Sequence, residues 1–349
     1  MSRRLLIATM LAGALCAAAP AQAAPVSSHA MVHTCCTPPA MKESILAEAR
    51  ASGAEFVRVD VELNDIFEDA GSRERPDWRA LDELIRLARR HDVKLLGVLL
   101  GMPTWLSDCP ELGDRAPLCA ARDPAEFGRL AGEVSAHAGA EVGHWQILNE
   151  PDARWAFRGS PEDYARMLSA AHRAIGERAP GATVVMGGVE RPRERGWIRR
   201  VLATGDAARS FDVAAIHLRL RLRGVLADLP AQLTAWRELL AGHGFHGPVW
   251  VTEHGYPADP AFQWDPAFRG GEAEQAAFLG ESVPMLAQAG ADQVFLTLRD
   301  NLWGEYLSEG IVHIGESGIR RKPAFAVAQD ISGAWDAAGL LDAATGWWL

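Results

Sequence analysis

The stretch HWQILNEPDARW, residues 144–155, joins an apolar run directly to Asn149, Glu150 and Pro151. A short apolar run bounded by a proline is typical of a strand that is buried on both faces of a parallel sheet. An amide and a carboxylate at the end of such a strand are unusual for a packing element, and they indicate a functional position. The same arrangement, in which an apolar run ends in polar residues, recurs along the chain.

Eight apolar segments of this kind alternate with longer amphipathic patterns. Strands are predicted at residues 28–32, 55–61, 94–100, 144–148, 183–187, 213–217, 249–252 and 293–298. Helices are predicted at residues 41–51, 80–90, 125–138, 160–178, 193–203, 229–241, 272–289 and 324–335. Eight such repeats predict a single (β/α)8 barrel over residues 24–349. An open doubly wound sheet is the alternative, but no glycine-rich phosphate loop follows the first strand.

Residues 1–23 have the pattern of a secretory signal peptide. A basic start, MSRRLL, precedes a short apolar core, and Ala21-Gln22-Ala23 fits an A-x-A cleavage site. A partial twin-arginine signal is the alternative for the export route. We therefore expect a secreted or periplasmic protein that keeps no membrane anchor.

The chain after this segment carries a net negative charge. Removing residues 1–23 takes away two arginines and no acidic residue, which leaves 33 basic and 45 acidic residues and a formal charge of −12. This charge argues against nucleic acid or an anionic membrane as a partner. The sequence also contains 12 Trp against 3 Tyr, and exposed indoles stack well on the apolar faces of sugar rings.

Four cysteines follow the predicted signal segment, and export would permit disulfides. Three connectivities are possible for four cysteines. Cys109 and Cys119 would close a short loop rich in Pro and Gly, and we favour this pair. Cys35 and Cys36 are adjacent, which is an awkward geometry for one bridge. Zinc is the competing interpretation, but neither pair has C-x-x-C spacing.

Two acidic side chains end strands that lie across the predicted barrel from each other. Glu150 ends the fourth strand, and Glu253, in VWVTEHGYP, ends the seventh. Because chemistry in such barrels sits where strands end, both carboxylates are expected to face one cleft. Glycoside cleavage needs such a pair: one protonates the leaving oxygen, and the other attacks the anomeric carbon or activates water. Other acid–base chemistry would also use a carboxylate pair.

Six short motifs lie at the ends of predicted strands or at the start of the last helix. They are Val57-Arg58, Asn149-Glu150-Pro151, His217, Thr252-Glu253-His254-Gly255-Tyr256, Leu298-Arg299-Asp300 and Arg321-Lys322-Pro323-Ala324-Phe325. Together they resemble the retaining (β/α)8 glycoside hydrolases of clan A, above all families 39 (β-xylosidase-like) and 5 (cellulase-like). The resemblance spans roughly the whole chain after the signal segment. Each tripeptide alone is a weak signal, whereas six in the correct order form a strong one.

The resemblance implies a double displacement at a β-linked oligo- or polysaccharide, with no cofactor. Glu150 would be the acid/base, protonated in the first step, and Glu253 the nucleophile. Arg58 would keep Glu253 ionised, because a nearby cation lowers the pKa of a carboxylate. Asn149 would bind the 2-hydroxyl of the sugar.

The chain departs from the pattern of these families at one position. Two residues after His217, where a Tyr is common, stands Arg219. Either Tyr256 would supply the missing hydroxyl, or the site is altered. Arg219 would in addition be able to contact a uronic acid or another anionic substituent. Trp303 would replace the aromatic platform that the eighth strand lacks. Trp105 would stack on a sugar or on the barrel rim, and His217 would contact sugar or sit in the core.

Two other functions compete with the glycosidase. A non-catalytic carbohydrate-binding barrel would keep the cleft without the chemistry, and Arg219 is the hint for it. A metal-dependent hydrolase is the third function. His29 and His33 have a metal-like look, but they lack H-x-H spacing and no carboxylate motif joins them, so we expect no metal site.

Overall fold

The computed structural model describes residues 26–192, 194–219, 226, 228–259, 270–300, 308–315 and 318–344. Within these ranges the chain forms ten strands and nine α-helices. The strands are β1 (Val26–His33), β2 (Phe56–Glu62), β3 (Lys94–Leu100), β4 (His144–Ile147), β5 (Thr183–Met186), β6 (Ala214–His217), β7 (Val249–His254), β8 (Gln293–Thr297), β9 (Val312–Gly315) and β10 (Gly318–Arg321). The helices are α1 (Pro39–Ala51), α2 (Leu63–Ile66), α3 (Arg79–Arg90), α4 (Pro124–Ala138), α5 (Pro161–Arg178), α6 (Gly196–Leu202), α7 (Asp228–Ala241), α8 (Glu272–Gln288) and α9 (Pro323–Ala344).

Strands β1 to β8 form one parallel sheet in the order β5-β4-β3-β2-β1-β8-β7-β6. Parallel bridges at Val185–Val213 and Val189–Ile216 join the two outer strands, so the sheet nearly closes on itself. A parallel ring of eight strands with intervening helices is a (β/α)8 barrel. The predicted fold and all eight predicted strands are confirmed.

Three features differ from the prediction. An antiparallel hairpin, β9–β10, precedes the last helix, and its short second strand is exposed along its length. A short strand that is exposed along its length lacks the apolar alternation that reveals strands. The short helix α2 follows β2 directly, and α9 extends to Ala344, since its last residues are Ala- and Leu-rich helix formers.

The barrel interior holds an aromatic cluster below its mouth. Phe56, Trp250 and Phe295 lie with ring centroids 5.3 to 6.5 Å apart. Side chains alternate along a strand, so residues two positions later face the same interior one layer higher. That next layer contains Arg58 and Thr297, and it forms the floor of the barrel mouth.

A glycine in β3 makes room for a buried tryptophan. A Cβ atom at Gly97 would lie 2.5 Å from the ring of Trp145, which is fully buried. Gly97→Ala is therefore expected to lower the free energy of unfolding by about 1–3 kcal/mol through overpacking. Gly176→Ala is the matched control, because its Cβ would meet open space inside α5. Urea unfolding should show the control unchanged or more stable, and equal behaviour of both variants would contradict the packing described.

The cysteines form two pairs. The sulfurs of Cys109 and Cys119 meet across the segment between them, with Cα atoms 6.1 Å apart, as predicted. The sulfurs of Cys35 and Cys36 also meet, which corrects the expectation that adjacency disfavours this bridge. The carboxylate of Glu62 accepts hydrogen bonds from the backbone nitrogen of Cys35 and from the preceding residue, so the turn is held in place.

The described helices include none that combines the length and the apolar character needed to cross a bilayer. The predicted signal segment, residues 1–23, lies outside the described residues. Its role therefore stays a prediction.

Candidate active site

The backbone turns sharply directly after β4. Leu148 and Glu150 have φ values of +63° and +41°, in the left-handed region. Such conformations cost on the order of 1–3 kcal/mol each for residues other than glycine, and they persist where neighbours fix them. The amide of Gln146 donates to the carbonyl of Leu148 at 3.1 Å, and its oxygen accepts from Arg58 at 3.0 Å. This turn sends Asn149 and Glu150 toward side chains from other strands.

Arg58, on β2, bonds residues of β1, β7 and the β4 region. Its guanidinium donates to Glu253 Oε1 at 2.9 Å, to Asn149 Oδ1 at 2.7 Å and to His29 Nδ1 at 2.9 Å, in addition to Gln146. The side chain is 1% exposed, so these bonds form away from bulk water. Arg58 thus fixes Asn149 and Glu253 relative to each other.

Glu253 lies between two arginines. Arg58 bonds one carboxylate oxygen, and Arg219 Nη2 lies 2.6 Å from the other. His217 Nδ1 and His29 Nε2 lie 3.5 and 3.7 Å from the carboxylate. Burial by itself would raise the pKa of Glu253, but the charge of Arg219 and its neighbours outweighs burial and holds this pKa well below its usual range. Glu253 is therefore ionised at neutral pH.

Glu150 approaches Glu253 from the opposite side of the mouth. Its Oε1 lies 2.7 Å from His217 Nδ1, and its side chain is 2% exposed. Among the described residues, Glu150 Oε2 has no hydrogen-bond partner. One carboxylate oxygen of Glu150 and one of Glu253 lie within 4.8 Å of each other. Two carboxyl groups from β4 and β7 thus share a single small volume.

His29 belongs to this group, although the sequence analysis treated it only as a non-ligand. It accepts a hydrogen bond from Arg58, and burial lowers its pKa well below the usual value, so the ring is neutral. A polar residue inside the predicted first strand was the available signal, since buried strands are otherwise apolar.

Glu309 is a second site residue that the sequence analysis missed. It is 1% exposed, accepts a hydrogen bond from Thr297 Oγ1 at 3.0 Å, and lies 3.6 Å from Arg219. Gly255 makes space for it, because a Cβ atom there would lie 2.4 Å from Glu309 Cγ. Glu309 lies outside every predicted element, so no periodic pattern pointed to it.

The contacts of Tyr256 and Arg219 differ from the expectation. The Tyr256 hydroxyl donates to Glu274 at 3.3 Å, and its ring stacks on Phe278 at a centroid distance of 4.5 Å. Arg219, and not the Tyr256 hydroxyl, contacts Glu253. A direct role of Tyr256 in sugar binding stays a prediction.

Three tryptophans bear on the predicted sugar contacts. The indole of Trp105 donates to the carbonyl of Phe67 at 2.9 Å, and the ring packs partly against the core. Trp303 lies outside the described residues. Trp155, five residues after Glu150, is 58% exposed, and the sequence analysis did not select it.

Two of the six sequence motifs, those that contain Asp300 and Lys322, contact each other away from Glu150 and Glu253. Lys322 Nζ lies 2.6 Å from Asp300 Oδ1, and Asp300 also accepts from the backbone of Gly310. His254 likewise points away from the mouth and bonds Leu218 and Ser282; burial lowers its pKa to about 4. These residues support the loops around the site.

Glu150, His217 and Glu253 also offer three metal-ligand atoms that lie within 4.8 Å of one another. Both oxygens of Glu253, however, already contact a guanidinium, from Arg58 and Arg219. Two cations at this distance oppose the binding of a divalent metal. The charge distribution fits nucleophile and acid–base chemistry better than a metal centre.

Barrel and site together define a (β/α)8 protein with paired carboxylates at the ends of β4 and β7. No protein-family model and no curated protein matches this chain. Solved structures do match it. A family 39 glycoside hydrolase from the gut symbiont Bacteroides cellulosilyticus WH2 is 16% identical with a TM-score of 0.65, over 87% of this chain and 64% of that one.

Two further structures are similar at the same level. A glucosidase from Croceicoccus marinus is 16% identical with a TM-score of 0.66, over 90% of this chain and 68% of the other. An exo-β-1,4-mannosidase from Opitutaceae bacterium strain TAV5 is 18% identical with a TM-score of 0.65, over 89% of this chain and 59% of the other. At these identities the likeness shows a shared fold. The chain spans about three fifths to two thirds of the length of these structures.

Proposed function

We propose that the protein is a retaining glycoside hydrolase that cleaves β-linked O-glycosidic bonds of an oligo- or polysaccharide. The observation that carries this proposal is the approach of Glu150 and Glu253, whose nearest ligand oxygens lie within 4.8 Å. Retaining enzymes hold their two carboxyl groups about 5–5.5 Å apart, whereas inverting enzymes hold them about 6.5–9.5 Å apart to admit a water. The short separation supports retention.

The first step forms a covalent glycosyl-enzyme. An oxygen lone pair of Glu253 forms a bond to the anomeric carbon, the bond to the leaving oxygen breaks, and Glu150 gives that oxygen a proton. In the second step Glu150 takes a proton from water, the water oxygen bonds to the anomeric carbon, and Glu253 departs with its electron pair. Both steps need the carboxylates on opposite faces of one sugar bond.

The charges support this division of roles. Glu253, bonded to Arg58 and Arg219, stays ionised as a nucleophile requires. Glu150 shares a hydrogen bond with His217 through one oxygen, and its second oxygen has no partner among the described residues. That second oxygen is the atom that would meet the leaving group.

The names of similar structures narrow the candidate sugars. They include a glucosidase, an exo-β-1,4-mannosidase and a family 39 enzyme. Among the proposed β-linked substrates we therefore expect a glucoside or a mannoside. The signal-like residues 1–23 and the two cysteine pairs support export to the periplasm or the medium.

An assay against a panel of glycosides tests the proposal. The purified protein should hydrolyse at least one chromogenic β-glycoside or β-linked polysaccharide, and the matching α-glycosides should be inert. Calorimetric binding of a β-linked oligosaccharide without any turnover would favour the non-catalytic barrel instead.

A metal-dependent hydrolase is the second candidate, because Glu150, His217 and Glu253 together offer a ligand set. Treatment with a chelator followed by gel filtration distinguishes the two. Full activity after the treatment supports the proposed mechanism, and loss restored by a divalent cation would replace it with a metal-dependent one.

Gly188 provides the space that His217 occupies beside Glu150. A Cβ atom there would lie 2.1 Å from His217 Nε2. Gly188→Ala is expected to displace the imidazole and reduce kcat/KM by about 100-fold, the effect of a misplacement near 1 Å. Gly143→Ala, whose Cβ would meet open space, should behave as the wild type. Equal activities of the two variants, with unchanged circular dichroism, would show that the position of His217 is unimportant.

A further inference from the structure

We propose that Arg219 is a positioning residue for the nucleophile and that Glu309 is the counter-ion to which Arg219 turns when Glu253 becomes an ester. The proposal rests on the proposed function, and it concerns residues outside the motifs that the chain shares with other glycoside hydrolases. In those families a Tyr is common at the position that Arg219 occupies here, so the charge arrangement belongs to this chain.

The geometry places one guanidinium between two carboxylates. Arg219 Nη2 lies 2.6 Å from Glu253 Oε2 and 3.6 Å from Glu309 Oε2. The Arg219 side chain is 11% exposed, and both carboxylates are at least as deeply buried. A movement of Arg219 Nη2 by about 1 Å toward Glu309 would make its contact with Glu309 the shorter of the two.

Esterification of Glu253 would favour such an exchange. Before the reaction, Glu253 balances Arg58 and Arg219, which both contact it. Formation of the glycosyl-enzyme removes the negative charge of Glu253, and a buried charge without compensation is costly. Glu309 is not esterified, so its carboxyl group stays beside Arg219 in the covalent intermediate. Hydrolysis restores the carboxylate, and Arg219 returns to it.

Glu309 is held where this function needs it. Thr297, which follows Phe295 on the interior face of β8, donates to Glu309 Oε2, the oxygen nearest Arg219. The absence of a side chain at Gly255 leaves the space for the Glu309 carboxylate beside β7. Two separate strands therefore fix its position.

The same contacts argue against Arg219 as a subsite for a uronic acid. Its guanidinium already faces two carboxylates of the protein, and a third anion would add repulsion from Glu253 and Glu309. We infer that Arg219 acts on the nucleophile and not on a charged substrate.

The lifetime of a trapped intermediate tests the pair. The protein is inactivated with an activated 2-deoxy-2-fluoro glycoside of the sugar that the panel identifies, excess reagent is removed, and the recovery of activity is timed. Glu309→Gln should speed recovery about tenfold, because the site then favours the restored carboxylate of Glu253; tenfold corresponds to one pKa unit of differential interaction. Arg219→Met should slow recovery about tenfold, because the carboxylate then loses a cation.

The double variant Arg219→Met/Glu309→Gln removes one charge of each sign. The recovery rate of the double variant is expected to lie within about threefold of the wild-type rate. If either single variant does not fold, the double variant provides the test in its place. Arg219→Lys, which keeps a positive charge, should regain most of the recovery rate that Arg219→Met loses. Glu141→Gln is the matched control, since it removes an exposed partner of Arg89 that is fully outside the site.

The pH dependence of kcat/KM provides a second test of the pair. Arg219→Met should move the acid limb of kcat/KM to higher pH by about one unit, because the pKa of Glu253 rises when the cation is removed. Shifts of recovery rate in the same direction for both single variants, or none, would overturn the role of the pair. A wild-type protein that turns over no glycoside, or that is not labelled, would instead overturn the proposed function.

Discussion

If the proposed function is right, Glu253→Ala is expected to reduce kcat by at least about 10⁴-fold, the size of loss that follows removal of a catalytic nucleophile in hydrolases that use one. The reason is that no covalent glycosyl-enzyme forms without the carboxylate that lies between Arg58 and Arg219. Sugar binding should persist, because Arg58 and Asn149 stay in the mouth. Initial rates on the best substrate of the panel and calorimetric binding measure the two quantities.

Azide offers a stringent control for Glu253→Ala. The small anion should enter the vacated space and attack the anomeric carbon directly, which gives an α-glycosyl azide and partial recovery of turnover. Because two arginines lose a partner, the free energy of unfolding is expected to fall by about 3 kcal/mol, and circular dichroism must show a folded protein at the assay temperature. Turnover at the wild-type level would remove Glu253 from the mechanism.

Glu150→Ala is expected to have an effect that depends on the leaving group. Glycosides with poor leaving groups should lose about 10³- to 10⁴-fold in kcat, the upper range for general acid–base catalysis. Dinitrophenyl glycosides need no proton and should still form the glycosyl-enzyme in a rapid burst. Stopped-flow absorbance measures this burst and the slow steady state that follows.

The azide product separates the two carboxylates. In Glu150→Ala, azide should attack the accumulated intermediate and give a β-glycosyl azide, the opposite anomer to that from Glu253→Ala. The matched control is Glu162→Ala. Glu162 lies on α5 and pairs with Arg200 outside the site, so this variant should have wild-type activity. Equal losses on poor and activated leaving groups would contradict the acid/base role.

Sequence patterns predicted most of what positions the site. Strands buried on both faces give uninterrupted apolar runs, and the ends of such runs placed Glu150 just after β4 and Glu253 near the end of β7. The approach of these carboxylates follows from the barrel, because parallel strands end at one mouth. The contact between Arg58 and Glu253 was expected from the resemblance to clan A and is present.

The remaining features depend on tertiary contacts that no local pattern encodes. Glu309 comes after β8 in a segment without periodicity, and its importance arises from Arg219, which is 90 residues earlier in the chain. The left-handed backbone at Leu148 and Glu150 contradicts local preference. The side chain of Gln146, which Arg58 of β2 contacts, donates to the carbonyl of Leu148. The turn that carries the adjacent Cys35 and Cys36 likewise donates hydrogen bonds to Glu62 of the neighbouring strand.

The stereochemistry of the first-formed sugar tests the central claim most directly. Hydrolysis of the best β-glycoside, followed by proton NMR in the first minutes, reports the anomer before mutarotation equilibrates it. Two displacements at one carbon predict the β-anomer as the initial product. Appearance of the α-anomer first would mean that a water attacks in a single step, and the assignment of Glu253 as a nucleophile beside Glu150 would be wrong.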